Sequence, residues 1–145
     1  MRLSSKRREA GQVTLMLVGF FVLLVLLAAV VVDASAAYLR RQSLNSLADG
    51  AVLAAADGVH GEQVYTGGLG DRAKVDPAVA ARYVTEYLRQ TGALARYPGL
   101  IWAVHASDEL VSVELAAPLQ LPISPPGWDD ATTITGEASA VIPVT

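Results

Sequence analysis

The sequence predicts an α+β protein: a single N-terminal transmembrane helix extending into a small exterior domain with a second helix and an antiparallel sheet of three or four strands. Three observations predict it. Residues 13–32 form an unbroken apolar run, residues 33–57 and the stretch between Asp76 and Gly92 place apolar side chains at helical spacing, and from Leu100 the apolar period changes to two.

The run VTLMLVGFFVLLVLLAAVVV at 13–32 contains no charge, and Thr14 is its only polar side chain. Twenty residues at a helical rise of about 1.5 Å span roughly 30 Å, the thickness of a bilayer's hydrocarbon core. In lipid every backbone N–H and C=O needs an internal partner, which a lone segment finds only as an α-helix. Ala34-Ser35-Ala36 offers an A-x-A pattern of the kind cut in secretory signals, but the apolar run is too long for a cleavable core, and a retained signal-anchor is the expected reading. Arg7-Arg8 is followed by Glu9-Ala10-Gly11-Gln12 rather than the apolar start of a twin-arginine signal.

The flanks orient the span. Residues 1–12, a basic tail, hold Arg2, Lys6, Arg7 and Arg8 against Glu9 and carry a charge of +3. Residues 34–145 hold seven bases against twelve acids, a charge of −5, so the whole-chain value of −3 conceals a strong asymmetry. The positive-inside bias places the N-terminus in the cytoplasm and the C-terminal domain outside. An acidic exterior has no basic stripe to neutralise phosphates, which argues against nucleic acid as a partner. The bilayer itself is the first partner. Asp33, directly after the run, marks the membrane exit.

The apolar fraction of 52% and mean hydropathy of +0.39 exceed those of an ordinary soluble domain, and the apolar run supplies much of the excess. Outside it there is chain for one small domain with a modest core. Cysteine is absent, which excludes disulfides, thiolate metal sites and cysteine nucleophiles and leaves packing or assembly to stabilise the exterior.

Element by element, residues 1–12 read as a short disordered tail. The helix continues past the membrane as an extracytoplasmic extension over 33–57, which has no proline and one interior glycine, Gly50. In it Leu44, Leu47, Ala48, Ala51, Val52 and Ala55 fall at i, i+3, i+4, i+7, i+8 and i+11, one apolar stripe for packing on a domain or a neighbouring helix. Arg40, Arg41, Gln42, Asn45, Ser46 and Asp49 lie off it. Gly58 stands where a helix-ending glycine is expected, and the five glycines between 58 and 70 predict a loop. The small α+β exterior domain is expected over 58–145.

Asp76 is a natural N-cap and Pro77 suits the first helical position. Gly92 marks the end, and Val79, Tyr83, Val84, Tyr87 and Leu88 form the apolar stripe between, with Glu86 and Arg89 as an exposed i, i+3 pair. The tyrosines 83, 87 and 97 read as core aromatics with hydroxyls at the rim. IWAVHA at 101–106 and ELVSVELA at 109–116 alternate as a hairpin about a Ser107-Asp108 turn. Pro118, Pro122, Pro125 and Pro126 leave 119–123 an edge strand at best, and a last strand is expected over 132–142, broken or bulged near Gly136.

No stretch carries recognisable chemistry. His60 and His105 are the only histidines, and no H-x-x-x-H, D-x-D-x-D-G or C-x-x-C spacing occurs, so no metal site is expected. His105 reads as a surface or satisfied core residue and His60 as solvated. Asp129-Asp130 are adjacent in a loop, where their carboxylates tend to diverge. G-x-S-x-G is absent, and the glycines near position 68 lack the setting of a phosphate loop. The chain reads as no enzyme, with no cofactor and no small-molecule substrate evident.

The N-terminal third nevertheless carries a distinctive series. Gly11-Gln12-Val13-Thr14 follows the basic residues, the span ends at Val32-Asp33, and Tyr38-Leu39-Arg40-Arg41-Gln42 and Leu47-Ala48-Asp49-Gly50-Ala51-Val52-Leu53-Ala54-Ala55-Ala56 come after it. Over residues 7–57 this series resembles the TadE/TadG-like proteins of Flp (Tad) pilus assembly. The resemblance implies a bitopic, pilin-like protein of the cytoplasmic membrane, a minor pilin or assembly component of the tight-adherence secretion machinery. Other pilins or assembly proteins would be its partners, and its role would be mechanical, the initiation or capping of a filament. It also implies a processing position between Gly11 and Gln12. TadE-type relatives carry a glutamate five residues after the processed glycine; here that position is Met16, closer to an uncut TadG-type anchor. Asp33 matches the family's exit aspartate. The alternative from a different class is a membrane-tethered extracytoplasmic binding module that joins no filament.

Overall fold

The computed structural model describes residues 5–66, 76–107, 110–123 and 132–141. The order of elements is α1 (Ser5–Thr66), α2 (Pro77–Gln90), α3 (Ala93–Arg96), β1 (Ile101–Ala106), β2 (Leu110–Pro118) and β3 (Thr133–Val141). The α+β expectation holds, with a long N-terminal apolar helix, further helices and one antiparallel sheet.

Helix α1 is longer at both ends than expected. Its 62 residues correspond to about 93 Å. The basic tail joins it from Ser5 instead of forming a disordered lead: nothing between Ser5 and Gln12 but Gly11 opposes helix, and extending a formed helix is far easier than nucleating one. Gly58 does not end it either. A single glycine costs a helix about 1 kcal/mol, and here the next residue, Val59, is buried in the core. A side chain at 58 would collide with the ring of Tyr83, and one at 50 with Tyr87. These two glycines therefore let α2 lie close against α1. Of the loop expected at 58–70, the first part is helix, and 67–70 lies outside the described residues.

Helix α2 starts as its sequence dictates. The Asp76 carboxylate accepts from the Ala78 N–H at 2.8 Å, and Pro77 takes the first helical position. Ala80, Val84 and Leu88 are fully buried, while Val79, Tyr83 and Tyr87 are half-buried at the rim. On the wet face Glu86 accepts from the Gln90 amide at 2.8 Å and from Arg89 at 2.7 Å, and these partners hold its carboxyl below its usual range. Gly92, at φ +67°, turns the chain into the short α3.

The sheet has three strands in the order β1-β2-β3, both pairs antiparallel. The hairpin closes where Ser107 N–H donates to the Leu110 carbonyl at 2.8 Å. Strand β2 buries Val111, Val113, Leu115 and Ala117 against the helices and turns Glu114 outward. The edge strand allowed at 119–123 is not taken up, and one expectation fails. Residues 119–123 form no strand: Leu119 N–H still reaches the Thr132 carbonyl at 2.6 Å, but Pro122 cannot donate and the pairing stops. Nor is there a bulge at Gly136, where β3 runs in continuous register with Leu115 opposite. A Cβ at 136 would stand 2.9 Å from the Leu44 carbonyl carbon and 3.0 Å from the Asn45 nitrogen. The glycine admits the backbone of α1 onto β3.

The core is one cluster from all of these elements, with Leu44, Leu88, Leu115, Val84, Val111 and Val113 as its largest fully buried side chains. α1 is therefore part of the folded domain, and the sheet and α2 are built onto its second half.

Candidate functional site

Helix α1 is the candidate, and it changes character along its length. Between positions 13 and 32 every large apolar side chain is exposed, among them Met16 at 79% and Phe21 at 66%. The helix is long and apolar enough to cross a membrane. Nothing in the described chain covers this surface. Burying it in lipid instead of water is worth about 25 cal/mol per Å² of apolar area, which dwarfs any cost of ordering a helix already formed.

Gly11 and Gln12, the expected processing position, lie within the helix, exposed, and apart from the adjacent residues and the helix's own backbone nothing described comes within 4 Å of a Cβ built at Gly11. The bond between them is thus helical, with an exposed residue on either side. At the other end of the apolar run, Asp33 is half-buried, and its Oδ1 accepts from the Ile123 N–H at 3.1 Å. This contact ties the end of the apolar run to a residue 90 positions later. No local signal in the sequence foretells it.

Farther along, Arg40 stacks its guanidinium over Tyr97, 5.4 Å from the ring centroid. The Tyr97 hydroxyl in turn donates to Ser43 Oγ at 2.7 Å. Tyr97 is buried, so its hydroxyl needs that partner. Leu44, Ala48, Ala51, Val52 and Ala55 then enter the core, and Leu47 packs half-buried against it. The stripe faces the chain's own α2 and sheet. The small side chains at 48, 51 and 55 let those elements approach α1 closely, as do Gly50, Gly58 and Gly136. Tyr38, Leu39 and Leu53 remain exposed on other faces of the helix.

Elsewhere the surface offers little chemistry. His60 is exposed on α1 and His105 on β1; Asp129 and Asp130 lie outside the described residues. Among the described residues no three His, Asp or Glu side chains gather as a metal cluster. A shallow hollow on the outer side of α2, lined by Ala78, Ala81, Arg82, Tyr83, Thr85 and Glu86, is open to solvent and holds no constellation of acid, base and nucleophile.

No curated protein and no solved structure matches the chain. A family match does exist, and it falls on α1: residues 11–58, about a third of the chain, match the sequence model of the Tad family, Flp pilus-assembly TadE/G-like.

Proposed function

We propose that the chain is a membrane-anchored minor pilin or assembly component of a Tad/Flp tight-adherence system. It is anchored in the cytoplasmic membrane by residues 13–32, with its N-terminus in the cytoplasm and its small domain outside. The observation that carries the reading is the coincidence of the family segment with the two-part helix: the match at 11–58 covers both the uncovered apolar half and the half that carries the exterior core. A helix continuous from lipid into a packed domain transmits force without a hinge, which suits a mechanical part rather than a catalyst.

In this reading the stripe at Leu44, Leu47, Ala48, Ala51, Val52 and Ala55 locks the exterior domain onto its anchor. Contacts with other pilins fall to the exposed Leu53. An aspartate at Ala51 would place a charge in the core and unfold the domain whether or not a filament exists. An aspartate at Leu53 is the discriminating change. It abolishes co-assembly in a filament subunit while leaving the domain folded, and it has no effect in a tethered binding module.

The intact mass and N-terminus of the native, membrane-extracted protein test the reading first. An N-terminus at Gln12 identifies a processed subunit, and an uncut chain identifies a permanent anchor that assists assembly. A start at Ala37 would mean a released soluble domain and would overturn the anchor.

A further inference from the structure

We propose that residues 119–123 form a foot that rests the exterior domain on the lipid headgroup layer where α1 leaves the bilayer. The inference builds on the membrane-anchor reading above. Asp33 is one residue beyond the apolar run, so its backbone stands about 1.5 Å past the hydrocarbon edge. The interfacial layer on each face of a bilayer is roughly 5–7 Å thick. The Ile123 N–H, held 3.1 Å from Asp33 Oδ1, therefore lies inside that layer.

The side chains at this place suit it. Ile123 is 47% exposed and Pro122 is exposed as well, two apolar side chains on the segment that follows the last pairing of the sheet at Leu119 and Thr132. Residues 119–123 carry no charge, and Asp33 has its carboxylate turned to a backbone donor instead of to lipid. Tyr38 and Leu39, exposed on α1 with backbones about 9–10.5 Å beyond the run, stand just above that layer, and helical side chains lean toward the helix N-terminus, which brings this aromatic and this aliphatic group back toward it. The occupant of this patch is thus the leaflet that α1 exits, contiguous with the lipid around the span. The consequence is orientation: two attachments, α1 and the foot, fix the tilt of the domain where a single helix would leave it free.

The absence of cysteine makes the test clean, because each single-cysteine variant takes one label. The full chain is labelled with an environment-sensitive fluorophore at Ile123→Cys, Val22→Cys or Val141→Cys. It is then reconstituted in phosphatidylcholine vesicles containing lipids spin-labelled near the headgroup or near the acyl-chain end. All three positions are exposed, and Val141 lies at the end of the sheet opposite Pro118. The Ile123 label is expected to be quenched more by the shallow spin label, the Val22 label more by the deep one, and the Val141 label by neither. An Ile123 label as unquenched as that at Val141, with Val22 still quenched from the deep position, overturns the foot and leaves the anchor standing. Loss of quenching at Val22 as well overturns the anchor and the foot together.

Discussion

Between positions 13 and 32, α1 exposes every large apolar side chain it has; between 44 and 59 it buries Leu44, Ala48, Ala51, Val52, Ala55 and Val59 to 3% exposure or less. The backbone is one helix throughout. The side chains differ in pattern. The second stretch is apolar along one stripe, with Asn45, Ser46 and Asp49 on the wet face, so a sheet and a second helix suffice to cover it. The first is apolar all round, and a helix of that kind is covered only by a large core or a membrane. The small domain built on the second half cannot supply the former. The comparison teaches that a candidate span is recognised by the apolar surface that the described chain leaves uncovered.

The largest test of that contrast is the same substitution in each half of the molecule. Leu88→Ala removes a fully buried side chain facing the second half of α1, and the cavity should cost about 2–5 kcal/mol of exterior-domain stability. Leu24→Ala in the first half should leave that stability unchanged and weaken only the partition into lipid. Urea titration of the chain in nanodiscs, followed by near-ultraviolet circular dichroism, reads the first effect. Sensitivity of the exterior unfolding to Leu24 would mean the two halves are not in separate solvents.

A glycine pair sharpens the same comparison with a smaller effect. Gly136→Ala puts a Cβ 2.9 Å from the Leu44 carbonyl carbon, and backbone cannot swing aside as a side chain tip can. The clash should cost about 1–3 kcal/mol as β3 backs away from α1. At Gly19 a Cβ meets nothing within 4 Å, and Gly19→Ala should leave the exterior midpoint where it was. Equal midpoints for the two variants would show that β3 does not pack on α1 at the distance described.

What could be read from the sequence follows the range of the interactions. The apolar run, the stripe from Leu44 to Ala55, the Asp76 cap and the period-two strands rest on neighbours within a few residues, and each element is present in the fold. The errors cluster at glycines. Gly58 was expected to end a helix and Gly136 to bulge a strand, because local chemistry assigns glycine to turns and irregular backbone. In the fold both serve close approach, Gly58 to Tyr83 and Gly136 to Leu44, and such a role depends on residues 25 and 92 positions away. The same holds for Tyr97 with Ser43 and Ile123 with Asp33, pairs 54 and 90 residues apart. Pairing at that range is set by the packing of whole elements, which no window of sequence contains. The processing position at Gly11 and Gln12 rests on resemblance to a family, and its geometry as an exposed helical bond adds no recognition element of its own.

The smallest effect separates two kinds of exposure. The outer face of the sheet is open as well, but it carries Glu114 on β2 directly opposite Glu137 on β3, both exposed. Like charges in opposed positions repel, and the pair is tolerable only where water and salt screen it. Glu137→Lys turns the repulsion into attraction and should stabilise the exterior domain by about 0.2–1 kcal/mol at low ionic strength. The gain should shrink as salt is added, since a pair this exposed is screened within a Debye length. A gain that persists undiminished in high salt would mean that the outer face is shielded from water, by lipid or by another subunit, and that the sheet has a partner as the span does. A gain that vanishes assigns the face to solvent, and leaves the first half of α1 as the one large surface of the described chain whose exposure calls for lipid.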